Sequence, residues 1–225
     1  MSTHLLVGSG GETGQVLAGK LAKQGDKVVI TSHRPSLSNS FPLPTIKWDL
    51  HSPDTGLATL DAALGSDPLA SLSLFAHPTF RRESRVSGTH AEIFFPFSSL
   101  IRLLDHLRPR LEDGSLLLFF IPSFSRHRAD GYLSARLWVG SLQGLFEEWS
   151  RNREGILVTA IESLISPGQS TPHMTPEMVE RVAGRTSRGR LATADEIADF
   201  AAWLIHSRNP LFHGQILQTE GGPYF

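Results

Sequence analysis

A short apolar run, His4-Leu5-Leu6-Val7, breaks into Gly8-Ser9-Gly10-Gly11-Glu12-Thr13-Gly14, and the residues after it place Val16, Leu17 and Leu21 at helical spacing. Strand, glycine turn and helix in that order restrict this chain more than any other feature. The β-branched stretch Lys27-Val28-Val29-Ile30-Thr31 follows, so the opening closes as a βαβ unit whose two strands are parallel and joined right-handedly.

The same reading predicts further strands at Thr45 to Asp49, Ala70 to Ala76, Ser115 to Ile121, Ile156 to Ile165 and Gln215 to Thr219. Helical patterns sit between most of them. The first runs from Glu12 to Gln24. Two more are long: Ala91 to Leu111, carrying Ile93, Phe94, Phe97, Leu100, Ile101 and Leu104, and Leu133 to Trp149, carrying Leu137, Trp138, Leu142, Leu145 and Phe146. Their apolar faces are wider than a lone surface helix requires, which predicts packing on the sheet and a surplus for a subunit interface. Pro35 to Pro44 and Ser166 to Pro176 read as loops, neither long enough to be an interdomain linker. The expected fold is α/β: a Rossmann-type doubly wound parallel sheet of about seven strands with helices on both faces. At 225 residues, one domain over 1–225 is expected.

Composition narrows the partners. A formal charge of -1 leaves no global field to attract a polyanion, which argues against nucleic acid or an anionic membrane and for a small-molecule substrate. The sequence contains no cysteine, which removes disulfide frameworks, thiolate zinc sites and cysteine nucleophiles. No stretch approaches the roughly 20 apolar residues of a spanning helix, and the amino terminus lacks the pattern of a signal peptide, so a soluble cytoplasmic protein is expected. His77 and His90 read as structural or exposed residues. With no His-x-x-x-His and no carboxylates at ligand spacing, no metal site is expected.

A glycine turn between a strand and a helix offers backbone amides and the positive end of a helix dipole to a pyrophosphate. Gly8, Ser9, Gly11 and Gly14 are the candidate contacts, and the Gly8-x-x-Gly11-x-x-Gly14 spacing fits better than Gly-x-Gly-x-x-Gly because Thr13 occupies the third glycine of the latter. After the second strand, where an NAD-binding unit carries an acid for the ribose hydroxyls, this chain has Thr31-Ser32-His33-Arg34. Arg34, with Ser32 and His33, suits a 2′-phosphate through charge-assisted hydrogen bonds. NADP is therefore expected over NAD.

The carboxyl-terminal stretch from Gly189 to Gly222 contains Gly-Arg-Leu-Ala-Thr-Ala-Asp-Glu-Ile-Ala, then Trp203-Leu204-Ile205, His213-Gly214-Gln215 and Glu220-Gly221-Gly222. Taken with the glycine turn, Asp49-Leu50, Pro167-Gly168 and Tyr132 four residues before Arg136, it resembles the short-chain dehydrogenase/reductase family over nearly the whole chain. The resemblance implies that Asp49 and Leu50 meet the adenine and that Pro167, Gly168 and Thr171 lie near the nicotinamide. It also implies a catalytic group in which Tyr132 moves the proton at the substrate oxygen, a cation four residues on lowers its pKa, and a serine polarises the carbonyl. Tyrosine ordinarily titrates near 10, so a fixed cation beside it is chemically necessary for tyrosinate at neutral pH. The family commonly pairs its two long helices across a two-fold axis, which implies a homodimer or homotetramer.

The chain departs from the family at several of these places. Arg136 stands for the lysine, and the two cations differ in length, hydration and geometry. Alignment from Gly114 puts Ile121 where the serine belongs, leaving Ser123 or Ser125 as displaced candidates. Phe75-Ala76-His77-Pro78 replaces Asn-Asn-Ala-Gly, the relay asparagine is not found near His90, and Glu12 stands where one family variant has glycine. The expected function is an NADP(H)-dependent oxidoreductase acting on a carbonyl or alcohol. The rivals are an NADP(H)-binding protein without turnover, acting as redox sensor or partner subunit, and a non-redox enzyme on the same fold.

Overall fold

The computed structural model describes residues 1–33, 43, 45–52, 54, 56–75, 89–123, 133–151, 155–163, 175–184 and 186–219, with the side chains of 89–93, 133, 178 and 182 outside that description. Strands β1 (Thr3–Val7), β2 (Lys27–Ser32), β3 (Thr45–Lys47), β4 (Leu69–Leu74), β5 (Leu111–Pro122), β6 (Leu157–Ser163) and β7 (Gln215–Gln218) form one seven-stranded sheet in the order β3-β2-β1-β4-β5-β6-β7. Every strand pairing is parallel. The helices are α1 (Glu12–Lys23), α2 (Leu57–Leu64), α3 (Thr89–Leu107), α4 (Leu133–Ser150), α5 (Pro176–Ala183) and α6 (Ala194–Ser207). The doubly wound parallel architecture expected from the glycine turn is the one observed.

Alternate residues of each strand enter different cores. Leu5 and Val7 of β1, with Leu117, Phe119 and Ile121 of β5, pack under α3 and α4 through Leu100, Leu104, Trp138, Leu142 and Phe146. Leu6, with Leu116, Leu118 and Phe120, packs against α1 and α6 through Leu17, Leu21, Ile197, Ala201 and Ile205. Because both faces are covered, β5 reads as an unbroken apolar run instead of an alternating one. Complete burial of one such leucine contributes roughly 1.5–3 kcal/mol. The sheet ends in short strands on both sides: β3 has 3 residues and β7 has 4.

Several boundaries differ from the sequence expectation for identifiable reasons. The first of the two long helix patterns, read to Leu111, stops at Leu107; Arg108–Arg110 is a 3-10 turn and Leu111 already opens β5, paired with Leu69. Pro109 lacks the amide the helix needs and disfavours α geometry at the residue before it. The third strand ends at Lys47, because Asp49 turns back to pair with Ser52. α2 is a short helix that sequence periodicity did not mark, and Pro176, read as the end of a loop, opens α5. α6 begins at a capping box in which Thr193 Oγ1 accepts from the Glu196 amide at 3.2 Å while Glu196 Oε2 accepts from the Thr193 amide at 2.9 Å. Arg188 and Arg190 bind the same carboxylate, and Arg190 first among its partners holds it well below the usual glutamate range. Among the described residues, no helix is long and apolar enough to cross a membrane.

Candidate functional site

The chain leaves β1, builds β2 and β3 on one side, then crosses to β4 on the other, so β1 and β4 flank the point where the winding reverses. In open α/β sheets the crevice at the carboxyl ends of the strands beside that point is where ligands bind. The glycine turn lies there, immediately after Val7.

Two hydrogen bonds tie the turn to the end of β2. The Gly8 amide donates to Thr31 Oγ1 at 3.1 Å and the Ser9 amide to the Thr31 carbonyl at 3.0 Å. Gly8 takes φ 72°, a left-handed conformation that glycine adopts without a Cβ penalty. Ser9 is buried, and its hydroxyl donates to the Leu6 carbonyl at 3.1 Å. Thr31 was not singled out from sequence, yet it fixes the turn; a polar residue at the end of an otherwise apolar strand was the available signal.

At the helical side, Gly11 is the N-cap of α1 and supplies no side-chain cap, so the first-turn amides of Glu12 and Thr13 have no intrahelical acceptor. Gly14 faces back onto the strand exit: a β-carbon there would lie 2.5 Å from both Ser9 Cβ and the Ser9 carbonyl oxygen. Helix and turn thus meet backbone to backbone. Gln15 closes the turn, its Nε2 donating to the Gly10 carbonyl at 3.0 Å. The arrangement presents amides and a positive helix end toward the crevice, the requirement for holding a diphosphate.

The remaining predicted contacts separate into several situations. Ser32 is buried, and a β-carbon on Gly10 would strike its hydroxyl, so Ser32 supports the turn from behind. His33 beside it is exposed. Arg34 lies outside the described residues. Asp49 spends one carboxylate oxygen on its own turn, where Oδ1 accepts from the His51 amide at 2.9 Å. The Leu50 side chain is in the core with Trp48, which leaves only its backbone groups for any ligand. Pro167, Gly168 and Thr171 also lie outside the described residues.

At the carboxyl edge of β5, Ile121 is buried in the core and offers nothing to a substrate. Ser123, directly after the strand, is 2% exposed, and its hydroxyl has no hydrogen-bond partner among the described residues. A buried hydroxyl without a partner costs free energy, a state that Ser123 shares with Ser73 of β4. Ser125 and Tyr132 lie outside the described residues. Arg136, in the first turn of α4, is exposed and has no ion-pair partner among them. Phe75 leaves β4 with its ring stacked on Phe120 at 3.7 Å between centroids, while Ala76 to Pro78 and His77 among them lie outside the description. Sequence reasoning also passed over Glu162, a carboxylate 1% exposed beside Ile121 in the β5–β6 register. An acid inside an apolar strand was the signal.

No protein-family model matches the sequence, and no curated protein matches it. Solved structures do. A short-chain dehydrogenase/reductase, glucose/ribitol dehydrogenase, from Brucella melitensis superposes with TM-score 0.85 at 19% identity, over 100% of this chain and 97% of that one. A dehydrogenase/reductase from Sinorhizobium meliloti 1021 superposes with TM-score 0.81 at 19% identity, over 98% and 94%. A Pseudomonas aeruginosa RhlG/NADP active-site complex superposes with TM-score 0.80 at 19% identity, over 98% and 95%. The chain has the fold of these short-chain dehydrogenase/reductase structures over its whole length.

The two kinds of glycine environment make a direct prediction. Gly14→Ala should destabilise by about 1–3 kcal/mol, as an overpacked contact does, whereas Gly140→Ala, at an exposed helical position with nothing within 4 Å, should stabilise by about 0.5–1 kcal/mol. Urea unfolding midpoints at unchanged m-value check both signs.

Proposed function

We propose that the chain is a short-chain dehydrogenase/reductase: a single dinucleotide-binding domain over residues 1–225 and an NADP(H)-dependent oxidoreductase acting on a carbonyl or alcohol. The observation that carries this reading is the glycine turn at the winding reversal, locked to Thr31 and opening onto the uncapped first turn of α1. In sequence, His33, which is exposed, and Arg34 follow the second strand where an acid would repel a 2′-phosphate, while Ser32 braces the turn beside them, and this supports the phosphorylated dinucleotide. The RhlG/NADP complex on the same fold agrees with that choice.

In this reading Gly8, Ser9, Gly11 and Gly14 hold the pyrophosphate, the backbone of Leu50 with Asp49 borders the adenine, and Pro167, Gly168 and Thr171 border the nicotinamide. When bound, the nicotinamide supplies or accepts the hydride. Tyr132 gives or takes the proton at the substrate oxygen, and Arg136, four residues on in sequence, favours the tyrosinate electrostatically. Ser123 directs its otherwise unpartnered hydroxyl at the carbonyl oxygen. Dinucleotide binding without turnover is the second reading, favoured by arginine at the lysine position and by the buried Ile121 at the serine position. A non-redox enzyme using the same crevice is the third.

A homodimer or homotetramer accompanies this reading. Phe94, Phe95, Ile101 and Leu137 expose 61%, 49%, 37% and 44% of their surfaces on α3 and α4, more apolar area than helices facing only water carry. Light scattering should therefore give a particle of at least twice the 24.7 kDa chain, and a monomer at micromolar concentration removes this part of the proposal.

Isothermal titration should show NADPH binding more tightly than NADH, with the difference shrinking in Arg34→Ala; equal affinities in the parent would end the NADP assignment. On a substrate found by screening ketones, aldehydes and alcohols, Tyr132→Phe should abolish NADPH oxidation while leaving NADPH affinity within a few-fold. If Tyr132→Phe turns over as fast as the parent, the proton comes from elsewhere and the tyrosine mechanism fails.

A further inference from the structure

The amino end of the sheet, away from the glycine turn, holds a cluster to which the function above assigns nothing. His4 on β1, Asp26 just before β2 and His206 in the last turn of α6 converge there, from near the two ends of the chain. Four residues of strand separate His4 from Gly8, about 13 Å at the usual rise, so the cluster is remote from the crevice.

Asp26 Oδ2 lies 3.2 Å from Nε2 of His4 and 3.2 Å from Nε2 of His206, and one ligand atom from each of the three residues falls within 4.8 Å of the others. Around a tetrahedral zinc with bonds of about 2.0–2.1 Å, neighbouring ligand atoms stand roughly 3.3 Å apart. The spacing therefore matches an edge of that coordination figure. The ligand atoms are also held from behind. His4 Nδ1 lies 2.8 Å from the hydroxyl of fully buried Ser71, the His206 Nδ1–H donates to the Ala202 carbonyl at 2.7 Å, and the Ser2 amide donates to Asp26 Oδ1 at 2.9 Å. Such outer bonds fix the tautomer and orientation of metal ligands.

The hydrogen-bond chemistry then leaves a gap that a cation fills. A carbonyl only accepts, so His206 carries a proton on Nδ1, and in its neutral form Nε2 aims a lone pair at a carboxylate oxygen. Two acceptors face each other there. His4 Nε2 is buried 3.2 Å from the same carboxylate oxygen, and when the Ser71 hydroxyl donates to Nδ1 a proton on Nε2 pairs with it. A proton on His206 would turn the facing acceptors into an ion pair; a metal ion instead binds all three ligand atoms together.

We propose that His4, Asp26 and His206 form a binding site for one first-row divalent cation, zinc above all, which clamps β1, the α1–β2 turn and the end of α6 together. Imidazole and carboxylate ligands suit zinc, and the side of His206, 37% exposed, leaves a position for water. Burial first of all holds His4 below the usual histidine range, against the raising effect of Asp26. The Asp26 carboxyl, despite the opposing cost of burial, is brought below its usual range by the Ser2 amide and the two histidines. The carbonyl end of α6 favours a cation at His206, and Arg208 opposes one.

The test uses the untagged full chain, freed of metal with a chelator. One equivalent of Co2+ should bind with the intense visible bands of a tetrahedral site, be displaced by Zn2+, and raise the thermal midpoint as added metal increases. His206→Ala, which removes a partly exposed side chain, should leave the metal-free protein folded and abolish the bands and the shift. Ser71→Ala removes no ligand and should weaken Zn2+ binding by about 10–100-fold. If neither metal binds in excess over protein, or if His206→Ala and Asp26→Asn bind as tightly as the parent, the site does not exist and the cluster is an ion pair sharing a proton. NADPH binding is read separately in each variant, so failure here leaves the proposed function standing, and the reverse holds.

Discussion

Gly14 touching Ser9 with no space for a side chain is the contact on which the carboxyl edge of the sheet depends. It sets the distance between α1 and the end of β1, and Thr31 then anchors the same turn to β2 through both its side chain and its carbonyl. Helix, turn and two strands are thereby joined through short contacts. Positioning of this kind costs little during binding, because the backbone amides have already lost their freedom.

The opening βαβ unit was legible because its signals are local: a short apolar run, glycines at a turn, and helical spacing just after it. Long strands were legible for the same reason, since burial on both faces makes them continuous. What sequence missed depends on partners far along the chain. α2 has little amphipathic pattern, and Leu111 looks like the end of a helix until Leu69 is seen beside it. Ser123 was one of two displaced candidates; its burial with no hydroxyl partner among the described residues is a fact of packing that no spacing rule contains. His4, Asp26 and His206 escaped a search for ligand motifs because such searches look within one helix or loop, whereas three separate elements bring these residues together.

The two ends of the sheet have consequently taken different chemistry. At the carboxyl end, the backbone and small residues of the glycine turn face the uncapped start of α1. At the amino end, the side chains of His4, Asp26 and His206 approach each other closely from three elements. Parallel strands impose this division, because all of them point their carboxyl ends one way and the crossover helices return to the other.

The shortness of the outermost strands bears on how the chain behaves when crowded. An exposed strand edge presents unpaired amides and carbonyls that can recruit a strand from another molecule, and long flat edges are the starting points of amyloid-like growth. Here β3 offers 3 residues and β7 offers 4, the latter polar at both ends with Gln215 and Gln218. A neighbouring chain would find too few hydrogen bonds to offset the ordering it must undergo, so brevity itself protects the sheet from being extended.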